Sequence, residues 1–162
     1  MKTYNLNRPE IVHDDDDPEG FQTGYDRFGP KIGAAQLGAT IYEMPPGQAL
    51  CPYHYEYPEE EWVIVLEGTA TLRHPGGEDQ LEPGDVVCFP TGPEGAHQLK
   101  NTGSEGNVRV MMLSTQADLN VAVYPDSDKI GVFPGNEADE LFVERSNAVP
   151  WAHGEEGWHR AD

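Results

Sequence analysis

The sequence predicts an all-β protein, a sandwich or barrel of short strands, with a polar arm before it and a mixed tail after it. Two observations carry this prediction. Short runs rich in β-branched and aromatic residues recur along the chain: ATIYEM, CPYHYEY, EWVIVLE, TATLRH, DVVCFP, HQLKN, VRVMMLS and NVAVYP. Between them stand turn signals drawn from 18 glycines and 14 prolines, among them PPGQ, HPGGED, EPGD, PTGPEGA and NTGSEGN. No helix-period stretch competes with these runs.

Taken in order, residues 1–35 are polar and irregular and read as an N-terminal arm. Their HDDDDPEG run at 13–20 reads as a solvated acidic loop, because no calcium-type ligand spacing surrounds it. Residues 36–126 hold the strand runs and form the predicted barrel, with eight or more strands. Residues 127–162 form a C-terminal tail expected to pack on the barrel or on a partner chain. Its NAVPWAHGEEGWHRAD segment carries Trp151 and Trp158, which should seek apolar cover, and His153 and His159, which read as exposed. The chain's 162 residues suit one domain with a real core.

Composition excludes some function classes. Ten Lys and Arg against 29 Asp and Glu leave a formal charge of −19. Such a surface repels phosphate backbones and anionic lipid, so neither nucleic acid nor a membrane is an expected partner. The start has no apolar signal region and no run approaches 18 apolar residues, so the expected location is the cytoplasm. Cys51 and Cys88 form no metal-type pair and no disulfide framework; both read as free, buried thiols.

The stretch HYEYPEEEW at 54–62 crowds nitrogen and oxygen donors directly before an apolar strand. In a strand, residues two apart share a face, so His54 and Glu56 point one way and Tyr55 the other. Tyr53, Tyr55 and Tyr57 then lie opposite His54 and are expected to pack between barrel and N-terminal arm, while Tyr42 is a candidate to face inward. In EWVIVLE, Glu61 shares a face with Val63 and Val65, while Trp62, Ile64 and Leu66 share the other. Both faces are apolar, as in a wall buried on each side. A carboxylate heading such a wall is costly unless paired, protonated or bound to a metal. Glu59 and Glu60 read as solvated turn residues. His97 follows a later strand and a proline-glycine turn. His54, Glu56, Glu61 and His97 together make a mixed nitrogen and oxygen set suited to one first-row divalent ion per chain: manganese, iron, zinc or nickel. Arg109 could grip an anionic substrate, but strand parity turns it away from the core beside Val108 and Val110.

The order and spacing of these residues resemble the cupin superfamily. Its two motifs read G-x5-H-x-H-x3,4-E-x6-G and G-x5-P-x-G-x2-H-x3-N. Here the first runs through Gly47, His54, Glu56, Glu61 and Gly68, and the second through Gly84, Pro90, Gly92, His97 and Asn101. The block from Cys51 to Gly68 and the VYPDSDKIGV run at 123–132 are similar to small single-domain bacterial cupins. The chain departs from the motifs by one extra residue before His54, two before His97, and Glu56 in place of the second histidine. Glu56 either ligates as a carboxylate or swings away and leaves an open position, or the site is empty.

The resemblance implies a double-stranded β-helix, a jelly-roll-like barrel with a metal at its mouth. It also implies either a metal-dependent enzyme on a small polar substrate (dioxygenase, lyase, decarboxylase or isomerase) or a non-catalytic small-ligand-binding or structural cupin. Small cupins often pair, so a homodimer is expected.

Overall fold

In the computed structural model, described for residues 1–155 and residue 157, the chain is built almost wholly from short strands. The first are β1 (Val12–His13), β2 (Gly24–Arg27) and β3 (Leu37–Met44), with the one-turn helix α1 (Gly29–Ile32) before β3. Next come β4 (Tyr55–Glu56), β5 (Glu61–Glu67), β6 (Ala70–His74), β7 (Gly77–Leu81) and β8 (Val86–Phe89). The remainder are β9 (Gln98–Lys100), β10 (Val108–Thr115), β11 (Asn120–Tyr124), β12 (Lys129–Phe133) and β13 (Leu141–Glu144). They form a six-stranded sheet β1-β2-β3-β10-β5-β8, a four-stranded sheet β13-β12-β11-β4 and a three-stranded sheet β7-β6-β9. The all-β prediction therefore holds.

Register decides which residues face the interior. Residues paired across neighbouring strands point to the same face of a sheet. Tyr42, Val110 and Val65 make one row across β3, β10 and β5. The next row runs Arg27, Thr40, Met112, Val63 from β2 to β5. The row beyond it holds Gly38, Ser114, Glu61 and Phe89. Val63, Val65 and Val110 of these rows close on Leu72, Leu81 and Leu99 from the three-stranded sheet, forming the main core. At the β5–β6 connection the chain turns sharply through Gly68, whose φ is 75°. A Cβ there would lie 2.9 Å from the Asn107 carbonyl oxygen, so the turn needs glycine for conformation and for space.

The outer face of the six-stranded sheet is only partly covered. Phe28, Ala39 and Ile41 cluster with Tyr4, Leu6, Ile11 and Leu66, so the N-terminal arm shields that region. Asp26 pins the arm. Its buried carboxylate accepts hydrogen bonds from Tyr4 Oη at 2.5 Å and the Glu10 amide at 2.7 Å, and pairs with Lys31 at 2.7 Å. Burial alone would raise the Asp26 carboxyl, but these contacts outweigh it and hold its pKa below the ordinary value. Cover stops short of Trp62, which is 43% exposed, so the β5 wall is not buried on both sides along its whole length.

Parts of both flanking segments join the sheets. Within the arm, β1 and β2 extend the six-stranded sheet through the pairing of β2 with β3. Within the tail, β12 and β13 continue the four-stranded sheet. This alters the expected place of the tyrosines. Tyr55 sits opposite Val123, so Tyr53 and Tyr55 pack with Ala96, Val123 and Ile130 rather than with the arm, and Tyr57 is exposed. Cys88 is exposed on edge strand β8 and Cys51 is half-buried, so neither thiol is sealed in the core as expected. Trp151 is 95% exposed and gains no cover from the described residues. Trp158 and His159 lie outside the described residues.

Candidate metal centre

The centre begins with two histidines in one backbone bridge. His54 N–H donates to the His97 carbonyl at 3.1 Å, and His97 N–H donates to the His54 carbonyl at 2.8 Å. Residues 43 apart in sequence are thereby set side by side, with ring centroids 4.8 Å apart. The His97 ring stacks on Phe89 at 3.7 Å, and the His54 ring on Tyr124 at 5.8 Å. Each ring is oriented through Nδ1, which donates to a local carbonyl: His54 to Pro52 at 3.0 Å, His97 to Gly95 at 2.9 Å. That bonding assigns the proton to Nδ1 and leaves an acceptor lone pair on each Nε2, as metal-ligating histidines require.

Glu61 completes the group from the head of β5. Its Oε2 lies 3.5 Å from His97 Nε2 and 4.0 Å from His54 Nε2. One donor atom from each of the three residues falls within 4.8 Å of the others. Two ligands each about 2.1 Å from one ion can be at most about 4.2 Å apart, so both Glu61 spacings fit a shared divalent cation.

The electrostatics fit as well. Burial, then the nearby charges of Glu56 and Glu59, push the Glu61 carboxyl up to about 8. Burial, then the neighbouring His54, lowers His97 to about 3, and burial lowers His54. A carboxylate that resists ionising beside two imidazoles that resist protonating is a site short of positive charge. A divalent ion supplies that charge without a proton on any ligand.

Of the four residues expected here, the structure brings His54, Glu61 and His97 together and leaves Glu56 outside the group. Glu56 sits on β4 opposite Ala122, and its charge still acts on the Glu61 carboxyl although it is not one of the three grouped donors. Burial raises its carboxyl to about 7, against the opposing effect of Asn120, and its Oε2 has no hydrogen-bond partner. Glu59 is not idle: it accepts from the Ala117 amide at 2.9 Å, while Glu60 accepts from Trp62 Nε1 at 2.9 Å. Arg109 faces out, as parity demands, and is held by Glu43 at 2.6 Å and Glu67 at 2.9 Å.

The triad opens into a cavity of about 460 Å³. That volume lies within the range of small-molecule sites, about 300–1,000 Å³. Its walls include Tyr42, which faces inward, together with Cys51, Thr40, Ser114, Gln116 and Arg27. Tyr42 keeps its proton, because burial and then the proximity of Cys51 raise its pKa. Arg27 was hidden from sequence reasoning by its place in a polar segment. Its only local signal is the alternation in GYDR, which sends Tyr25 and Arg27 one way and Asp26 the other. Ser114 and Gln116 gave no signal of their own, because a lone hydroxyl or amide at a strand end is common.

Known proteins agree with this architecture. Residues 40–114 match the Cupin domain family. No curated protein sequence matches the chain. Among solved structures, a protein provisionally named a sugar phosphate isomerase from Acidithiobacillus ferrooxidans superposes with a TM-score of 0.78 at 25% identity, covering 90% of this chain and 91% of its own. A sugar phosphate isomerase of the cupin superfamily from Silicibacter pomeroyi has a TM-score of 0.77 at 23% identity, covering 94% and 98%. The polyketide cyclase RemF from Streptomyces resistomycificus has a TM-score of 0.57 at 21% identity, covering 71% and 79%. At these lower identities, the last two attest the fold alone. With both motif halves brought together on an all-β core, residues 40–114 of the chain form a small cupin domain.

Proposed function

We propose that the protein is a metal-dependent enzyme acting on a small polar substrate, with isomerisation of a hydroxy-carbonyl compound as the first reaction to test. The observation that carries this reading is a triad of two imidazoles and one carboxylate that opens into a cavity of mixed polar and apolar wall rather than closing on itself. His54, Glu61 and His97 would hold one divalent ion through Nε2, Oε2 and Nε2. Bound there, the ion supplies Lewis acidity toward a substrate oxygen. Three protein ligands leave room for that oxygen.

The chain's other residues shape the reaction. Tyr42 offers a protonated hydroxyl on the cavity wall, available to donate a hydrogen bond to a substrate oxygen. Phe89 and Tyr124 hold the imidazole rings in place and exclude water from their flanks. The name of the Acidithiobacillus ferrooxidans structure supports isomerisation over the other chemistries known among cupins. We also propose a homodimer, because Leu37, Trp62 and Val86 are exposed together on the outer face of the six-stranded sheet. Light scattering tests it, and a monomer at micromolar concentration would count against it.

The functional test has two parts. Metal analysis of protein purified without added metal should find about one divalent ion per chain, lost in His97→Ala and Glu61→Ala. The loaded protein is then incubated with hydroxy-aldehydes and hydroxy-ketones in deuterium oxide and followed by proton NMR. Loss of the C–H signal beside the carbonyl supports the reading. A protein that binds metal and exchanges none of these protons would sink the isomerase assignment, and one that binds no metal would sink the whole reading.

A further inference from the structure

The cavity wall carries a cation that the metal site does not use. Arg27 ends β2, and the pairing Arg27–Thr40–Met112–Val63 puts it on the inner face of the six-stranded sheet. Glu61 stands one row along and on β5, three strands away. Three inter-strand spacings of about 4.8 Å separate their backbones by about 14 Å, less where the sheet curls. Arg27 and the triad thus occupy different ends of one cavity.

Arg27 is also free to act. Lys31, Arg73, Lys100, Arg109 and Arg145 each pair with a carboxylate. Among the described residues Arg27 pairs with none, and its guanidinium lies over the Tyr25 ring at 5.2 Å. In a chain of net charge −19, an unpaired arginine on a cavity wall is a local reversal of sign. Polar groups accompany it. A Cβ built on Gly38 would lie 2.4 Å from Ser114 Oγ and 2.7 Å from Gln116 Nε2, so these two groups fill the space over a residue with no side chain. Both line the same cavity and add a hydroxyl and an amide donor to its wall.

We propose that Arg27 is the anion-binding residue of this cavity, and that the substrate is a small molecule bearing a phosphate or carboxylate at the end remote from the triad. This inference rests on reading the cavity as a metal-dependent active site. A guanidinium binds either anion in a two-pronged contact, which a lysine cannot reproduce. Arg27 is then a specificity-determining residue: it fixes one end of the substrate and sets which oxygen reaches the triad.

The test is calorimetric titration of metal-loaded protein with glycerol 3-phosphate, 4-hydroxybutyrate and glycerol. Wild type should bind at least one of the two anions and prefer it to glycerol, and which one binds identifies the source of the charge. In Arg27→Gln the anion's Kd should rise at least tenfold, with metal content and melting temperature unchanged, and Arg27→Lys should recover only part of the loss. Equal anion binding by wild type and Arg27→Gln would overturn the proposal, since the anion would then sit on the metal. The same titration in His97→Ala separates the two readings: Arg27-dependent binding that persists there supports the subsite whatever becomes of the metal assignment.

Discussion

Glu61→Gln should make the metal-free protein more stable at alkaline pH while destroying its metal binding. The substitution keeps the shape of the side chain and removes its charge. In the metal-free protein the Glu61 carboxyl titrates near 8, against an ordinary value of 4.5. An acid whose folded pKa is raised favours folding fully below its unfolded pKa, and that contribution is lost as pH rises through the folded pKa. His97 works in the opposite direction, because its pKa drops from 6.5 to about 3, but its effect is complete above pH 6.5. Glu56, raised to about 7, adds to the Glu61 slope only in the lower part of the remaining window. Between pH 6.5 and 8 the Glu61 term therefore dominates. At about 1.4 kcal/mol per pKa unit, it removes about 2 kcal/mol of stability across that window. For a chain of this size that is about 4–8 °C in melting temperature. The assay is thermal unfolding of chelator-treated protein from pH 5 to 8.5, followed by addition of manganese or zinc. Wild type should lose stability from pH 6.5 to 8 and regain about 4 kcal/mol with metal at a thousand times its Kd. Glu61→Gln should show little slope from this residue and no metal response. A mutant with the wild-type slope, or one that still binds an equivalent of metal, would refute the placement of Glu61 in a buried metal site.

Other changes probe the supports of the site. Asn101 is buried, donates to the Met44 and Gly106 carbonyls and accepts from the Gly103 amide. Asn101→Ala should cost about 3 kcal/mol in chemical denaturation, at about 1 kcal/mol per lost bond, and a loss under 1 kcal/mol would contradict this structural role. A Cβ on Gly95 would lie 1.8 Å from the Pro90 carbonyl oxygen, and the Gly95 carbonyl orients His97. Gly95→Ala should therefore weaken metal affinity by tenfold or more even where the chain still folds, read by competition with a chelating dye. Asp26 has a depressed pKa, so its contribution is full above its unfolded pKa of about 4 and fades as pH falls further. Asp26→Asn should lower stability at pH 7 and flatten the acid limb of the unfolding profile below pH 4; an unchanged acid limb would remove Asp26 as the anchor of the arm.

Much of this molecule is legible one strand at a time. Alternation in EWVIVLE put Val63, Val65 and Glu61 on one face, and the structure agrees, because side-chain period is a local property of an extended chain. Spacing and motif order likewise pointed to His54, Glu61 and His97, since turns rich in glycine and proline set where each strand begins. Glu56 shows the limit of that reasoning. Parity with His54 predicted its face, but where Glu56 is held follows from β4 pairing with β11, a contact about 65 residues away in the chain. The tyrosines were placed against the wrong segment for the same reason, because nothing near Tyr55 announces Val123 as its neighbour. Arg27 needed three pairings at once, β2 on β3, β3 on β10 and β10 on β5, before it could be seen to share a cavity with residues of β5. The sequence by itself determined strand, turn and inward face, because those depend on side chains a few residues apart. Only the tertiary structure decided which inward-facing groups meet, because cross-strand register is set by the packing of the whole core and not by any one segment.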